Sequence, residues 1–122
     1  MEIYQITYQE YVALMTRVKN EIDMIINITP DNTRKMMAIR IAVAIERTIA
    51  TAQAEINLPS AELQSIVNAI IDLKTCGATP IPDVMDALNR CFNLLSLATD
   101  VLLRITDDSY VTSAKEKLKE IA

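Results

Sequence analysis

Apolar residues recur along most of this chain at steps of three and four. The cleanest line runs through Tyr8, Tyr11, Val12, Met15, Val18, Ile22, Ile25 and Ile26. That spacing follows the 3.6-residue helical period and gathers all eight side chains on one face. Upstream, Thr7-Tyr8-Gln9-Glu10 has the spacing of a capping box, with Ile6 at the staple position facing Tyr11. A first helix is therefore expected from about Thr7 to Ile28. Thr29-Pro30-Asp31 then restarts the chain, with threonine as the cap, proline at the first helical position and aspartate toward the positive helix end.

The second predicted helix, about Pro30 to Ile56, carries two apolar lines. Ala38, Ile41, Ala42, Ile45, Ile49, Ala52 and Ile56 form one face, and Met36, Ile39, Val43 and Ala50 form another. Together they make an arc wider than an ordinary surface helix needs. Its alanines lose no rotamer freedom in a helix and let neighbouring backbones come close. Arg40 and Arg47, seven residues apart, share an azimuth and read as a solvated edge. Leu58-Pro59-Ser60 ends this helix.

A third helix over Ser60–Cys76 turns Leu63, Ile66, Val67, Ile70 and Leu73 inward, and Gly77 stands where a left-handed C-terminal cap is expected. Residues 78–83 read as a loop, from which Pro82 opens the fourth helix with Asp83 and Asp86 in its first turn. Its buried line is Val84, Leu88, Cys91, Phe92, Leu95, Ala98, Leu102 and Ile105, widened by Leu94, Leu97 and Val101. The second and fourth helices, both with more apolar surface than one stripe, are expected to be the central pair. Thr106–Ser109 breaks the chain and caps a last helix, Ser109–Ala122. Val111, Ala114, Leu118 and Ile121 line its inner side and charged residues from Lys115 to Glu120 cover the outer one.

The expected fold is all-α: an antiparallel helical bundle of four main helices plus a short C-terminal helix, in one domain spanning residues 1–122. Composition supports it. A single glycine among 122 residues is too few for the turns of a strand-rich fold. With 51% hydrophobic and 4% aromatic residues, the core is aliphatic. Three tyrosines near one end, Tyr4, Tyr8 and Tyr11, are expected either to form a binding surface or, as is commoner, to close the end of the bundle with hydroxyls toward water. A mean hydropathy of +0.19 hints at apolar surface beyond what the core uses.

The net charge of −4 disfavours binding to nucleic acid or anionic membrane. The third helix, with one lysine and two acids, is a poor groove reader. The longest uncharged runs, Leu63–Ile71 and Cys91–Thr99, are nine residues each, against the roughly 20 needed to span a membrane. Residues 1–30 show no targeting pattern, so a cytoplasmic location and reduced thiols at Cys76 and Cys91 are expected.

Chemistry is harder to find. Histidine is absent, which removes the commonest general base near neutral pH and the imidazole metal ligands. One glycine cannot build a phosphate-cradling loop. Asp83 and Asp86, an acidic pair at helical spacing, suit a helix N-terminus, and Asp86 also stands four residues before Arg90. No catalytic, cofactor-binding or metal-binding residue is assigned, and no cofactor is expected.

The chain thus reads as a non-enzymatic protein acting through protein–protein interaction, as an adaptor, an inhibitor or an assembly subunit. It is expected to self-associate, most simply as a homodimer. The candidate interface is Met36, Ile39, Arg40, Val43, Ile45, Arg47, Leu94, Leu97 and Val101, and a charge at Ile45 or Leu97 is expected to dissociate the dimer without unfolding it. The alternative is a small apolar-ligand or lipid binder with a pocket inside the bundle, lined by Met15, Met24, Met36, Met37 and Met85.

Overall fold

A computed structural model describes residues 3–54, 57–76 and 81–121. It contains five helices: α1 (Ile3–Ile28), α2 (Asn32–Ala54), α3 (Ser60–Thr75), α4 (Pro82–Leu103) and α5 (Ser109–Ile121). No strand occurs among the described residues. The protein is all-α.

The helix starts show which capping groups act. α1 begins at Ile3, so Thr7 already lies inside the helix, where the backbone has no free N–H for it to cap. Glu10 does not reach back to Thr7 but pairs with Arg104 beyond the end of α4. Ile6 likewise lies inside the helix and not before its cap, so it does not hold a staple position; it is exposed while Tyr11 is fully buried. The expected capping box is therefore corrected to an interior turn of α1.

α2 begins at Asn32, and its cap is Asp31. The Asp31 carboxylate accepts a 2.8 Å hydrogen bond from the Arg34 N–H, three residues on. Thr29, the expected cap, belongs instead to the end of α1: its N–H donates to the Ile25 carbonyl at 3.0 Å. Its hydroxyl is buried with no hydrogen-bond partner among the described residues. Pro82 opens α4 as expected, after Ile81 in extended conformation. Asp108 caps α5 by accepting from the Tyr110 N–H at 2.7 Å. The expected end of α2 at Ile56 and the expected cap at Gly77 lie outside the described residues.

The helix neighbours form a circuit. α1 packs on α2 and on α4; α3 packs on α2 and α5; α5 packs on α4, and α3 also touches α4 across the middle. Among the described residues α2 and α4 make no close backbone approach. The expected central pair is therefore corrected: α1 stands between α2 and α4. At 26 residues it is the longest helix, and it engages both neighbours along its length. On one flank the hydroxyls of Tyr11 and Thr48 share a buried 2.7 Å hydrogen bond. On the other, Glu10 pairs with Arg104 and Glu21 with Arg90.

Inside the circuit, buried side chains from all five helices form one cluster. The largest of them, including Met15, Ile22, Ile45, Ile70, Leu88 and Leu95, are almost fully withdrawn from water. Each contributes roughly 1.5–3 kcal/mol of transfer free energy. Around the rim, α5 is tied to α4 by Lys115, which donates to Ser96 at 2.7 Å and pairs with Asp100. The Lys74 ammonium stands 5.5 Å over the Phe92 ring, joining α3 to α4.

Candidate interaction surface

α2 has two sides of different character. Ala38, Ile41, Ala42, Ile45, Thr48 and Ala52 are buried against α1 and α3. Opposite them, Met36, Ile39 and Val43 are 51%, 38% and 43% exposed, and Ala50 continues their line outward. The period that buries the first set necessarily turns the second set away from it. From Met36 to Ala50 the line extends about 21 Å at 1.5 Å per residue.

The flanks of this line carry opposite charge arrangements. Arg40 and Arg47 lie along the α3 side, both exposed, and neither makes an ion pair with a described residue. On the α1 side Glu46 is engaged by Lys19 at 3.6 Å. Lys19 also bonds Asp23, and this hydrogen bond, with the Asp23 and Glu46 charges, holds its ammonium above the ordinary lysine value. Next to Arg47, a shallow cleft of about 290 Å³ runs between α2 and α3, lined by Ala44, Ala61, Glu62 and Ser65.

The nine residues singled out from the sequence do not come together. Met36, Ile39, Arg40, Val43 and Arg47 share the outer side of α2. Ile45 lies on its inner side, fully buried, and Leu94 and Val101 are buried in α4. Ile45 and Val101 are packed within the chain, and Leu94 is nearly so. Leu97 is 51% exposed, but on a different face, in a groove of about 410 Å³ between α1 and α4. Arg17, Asn20, Glu21, Arg90 and Asn93 also line that groove, and Leu94 contributes to its floor.

The methionines do not converge either. Met15 is core, Met24 and Met36 point outward from different helices, and Met37 and Met85 are half-buried. The clefts described above and those between α4 and α5, α3 and α5, and α1 and α2 contain no methionine.

Burial disfavours ionisation of two side chains in the core, Cys91 and Tyr11. Desolvation pushes the Cys91 thiol up to about 12, with the Glu21 charge adding to the rise and Arg90 opposing it. Burial raises the Tyr11 phenol well above its ordinary value, against the opposing hydrogen bond from Thr48. Both cysteines are free thiols. Among the described residues no group of three or more Cys, Asp or Glu side chains is placed to share a metal ion. Among the described residues no helix is long and apolar enough to cross a membrane.

One polar feature went unnoticed in the sequence pattern. Arg34, on the first turn of α2, is buried, and its Nη2 approaches the Cys76 carbonyl at the end of α3 at 3.5 Å. Its Nε has no partner among the described residues. A guanidinium at the negative end of a helix dipole is favourably placed. An arginine in the run Thr33-Arg34-Lys35 carries no sequence signal for such a role.

Comparison with protein-family models, curated proteins and solved structures finds no match to this chain.

Proposed function

We propose that this protein is a non-enzymatic interaction module that binds another protein through the outward face of α2. The observation that carries this reading is the line Met36, Ile39, Val43, exposed on a helix whose other side is fully packed. Exposed apolar residues are ordinary when scattered. Three in one helical line, with two arginines along one edge that pair with no described residue, form a continuous surface of the kind that partners cover. We take the helices to run alternately up and down, a course supported for α1 and α4 by the pairs Glu10–Arg104 and Glu21–Arg90.

The test is quantitative affinity capture from the native host with the natural chain and with the double variant Met36→Asp, Val43→Asp. Proteins recovered with the first and lost with the second support the reading. Identical recoveries, with the fold of the variant intact by circular dichroism, end it.

A second reading, self-association as a homodimer, has an observation of its own. Leu97 projects from the α1–α4 groove between the Glu21–Arg90 and Glu10–Arg104 pairs, an apolar centre with a charged rim. Light scattering over a concentration range decides it: a dimer mass that Leu97→Asp reduces to that of the monomer supports it, and a monomer at all concentrations removes it.

A further inference from the structure

We infer that the partner of the α2 face is an acidic amphipathic helix of another protein, and not a second copy of this chain. The inference rests on the α2 reading above and adds the chemistry of the occupant.

Charge is the first ground. α2 carries Arg34, Lys35, Arg40 and Arg47 against the single acid Glu46, in a chain whose net charge is −4. Arg34 is spent internally on the end of α3. Arg40 and Arg47 are exposed, without an ion pair to any described residue, and seven residues apart along one edge of the apolar line. Two helical turns separate them, about 10.5 Å along the axis. A helix laid over the line with its own apolar stripe presents carboxylates at the same interval if they too are seven residues apart. Arginine forks suit carboxylates in this setting.

Symmetry is the second ground. A two-fold axis crossing α2 at Val43 sets the helix antiparallel on its copy, and the same flank of each helix then meets. Arg40 of one copy stands beside Arg47 of the other, and the reverse pair repeats the clash. That antiparallel pairing gathers cations, and like charges across an interface are strongly disfavoured. A two-fold along α2 instead turns Arg40 of one copy toward Lys35 of the other; it also sets Arg47 level with Glu46 of the other copy, but that carboxylate is already engaged by Lys19 of its own chain. The arginine edge therefore selects a foreign, acidic occupant.

The experiment uses two synthetic amphipathic helices with the same leucine face. One is flanked by glutamates seven residues apart and the other has lysines in their place. Binding to the full chain is followed by fluorescence anisotropy and by amide chemical shifts. We expect the glutamate peptide to bind with shifts centred on Met36–Ala50, to weaken by about tenfold or more between low salt and 0.5 M salt, and to outbind the lysine peptide. In the double variant Arg40→Glu, Arg47→Glu the preference reverses. Equal binding of both peptides on α2 overturns the acidic partner while leaving the α2 face as a docking surface. So does a dimer mass that Val43→Asp halves. Failure of the glutamate peptide to bind by about 1 mM, or shifts confined to the α1–α4 groove, overturns the proposal.

Discussion

α2 and α4 look alike as sequences and differ as parts of the molecule. Both carry apolar arcs too wide for one buried stripe. α4 has three neighbours, α1, α3 and α5, and these cover nearly all of its arc: Leu94 and Val101, on its margin, are buried. Its outward positions are mostly polar, among them Asn89, Arg90, Asn93 and Asp100, with Leu97 the apolar exception. α2 has two neighbours, α1 and α3, and they cover one side only. The remaining line stays in water. The width of an apolar arc therefore says how much surface a helix offers, and the number of neighbours decides how much of it is used.

The largest predicted effect sets the two sides of α2 against each other. Ile45→Asp buries a carboxylate without a partner, a cost of several kcal/mol that is comparable with a typical total stability of about 5–15 kcal/mol. It is expected to unfold the chain, contrary to the dissociation without unfolding expected when Ile45 is read as an interface residue. Val43→Asp, two residues away, is expected to shift stability by no more than about 0.5 kcal/mol. Urea melts of the two variants check the comparison, and equal losses would mean that Val43 is covered within the chain.

Alkaline pH probes the α1–α4 side. A thiol with a raised folded value keeps its proton while the unfolded chain loses it, so stability is full below the unfolded value. It falls as pH rises from the ordinary thiol range toward about 12 for Cys91. The slope is about 1.4 kcal/mol per pH unit per group, and Tyr11, also raised by burial, adds to it above its own ordinary value. Melts between pH 8 and about 10.5 are expected to flatten in Cys91→Ala. An unchanged slope would assign the loss to other groups.

Smaller effects test the α1–α2 side. Tyr11→Phe leaves the Thr48 hydroxyl buried and unbonded, for a loss of about 1–3 kcal/mol, and adding Thr48→Val is expected to recover part of it. Asp31→Ala removes the α2 cap and is expected to cost about 1 kcal/mol. Thr29→Val, at a hydroxyl without a partner among the described residues, is expected to be neutral or slightly stabilising. If the Thr29 variant loses more than the Asp31 variant, the cap is misassigned.

Much of this fold is legible residue by residue. The inner lines of α1, α3 and α5, the opening of α4 at Pro82, the cap of α5 and even the outward line Met36, Ile39, Val43, Ala50 all follow from spacing. The caps of α1 and α2 do not: Thr7, Thr29 and Asp31 are all good capping types, and only the backbone course selects among them. Ile45, Leu94 and Val101 fell among the interface candidates because an arc read in isolation has no inner and outer half. Local periodicity resides in residues three and four apart, so a sequence carries it directly. Which side of α2 faces water depends on α1 standing between it and α4, and on α5 covering α4 rather than α2. Those arrangements join residues tens of positions apart, and only the packed chain decides them.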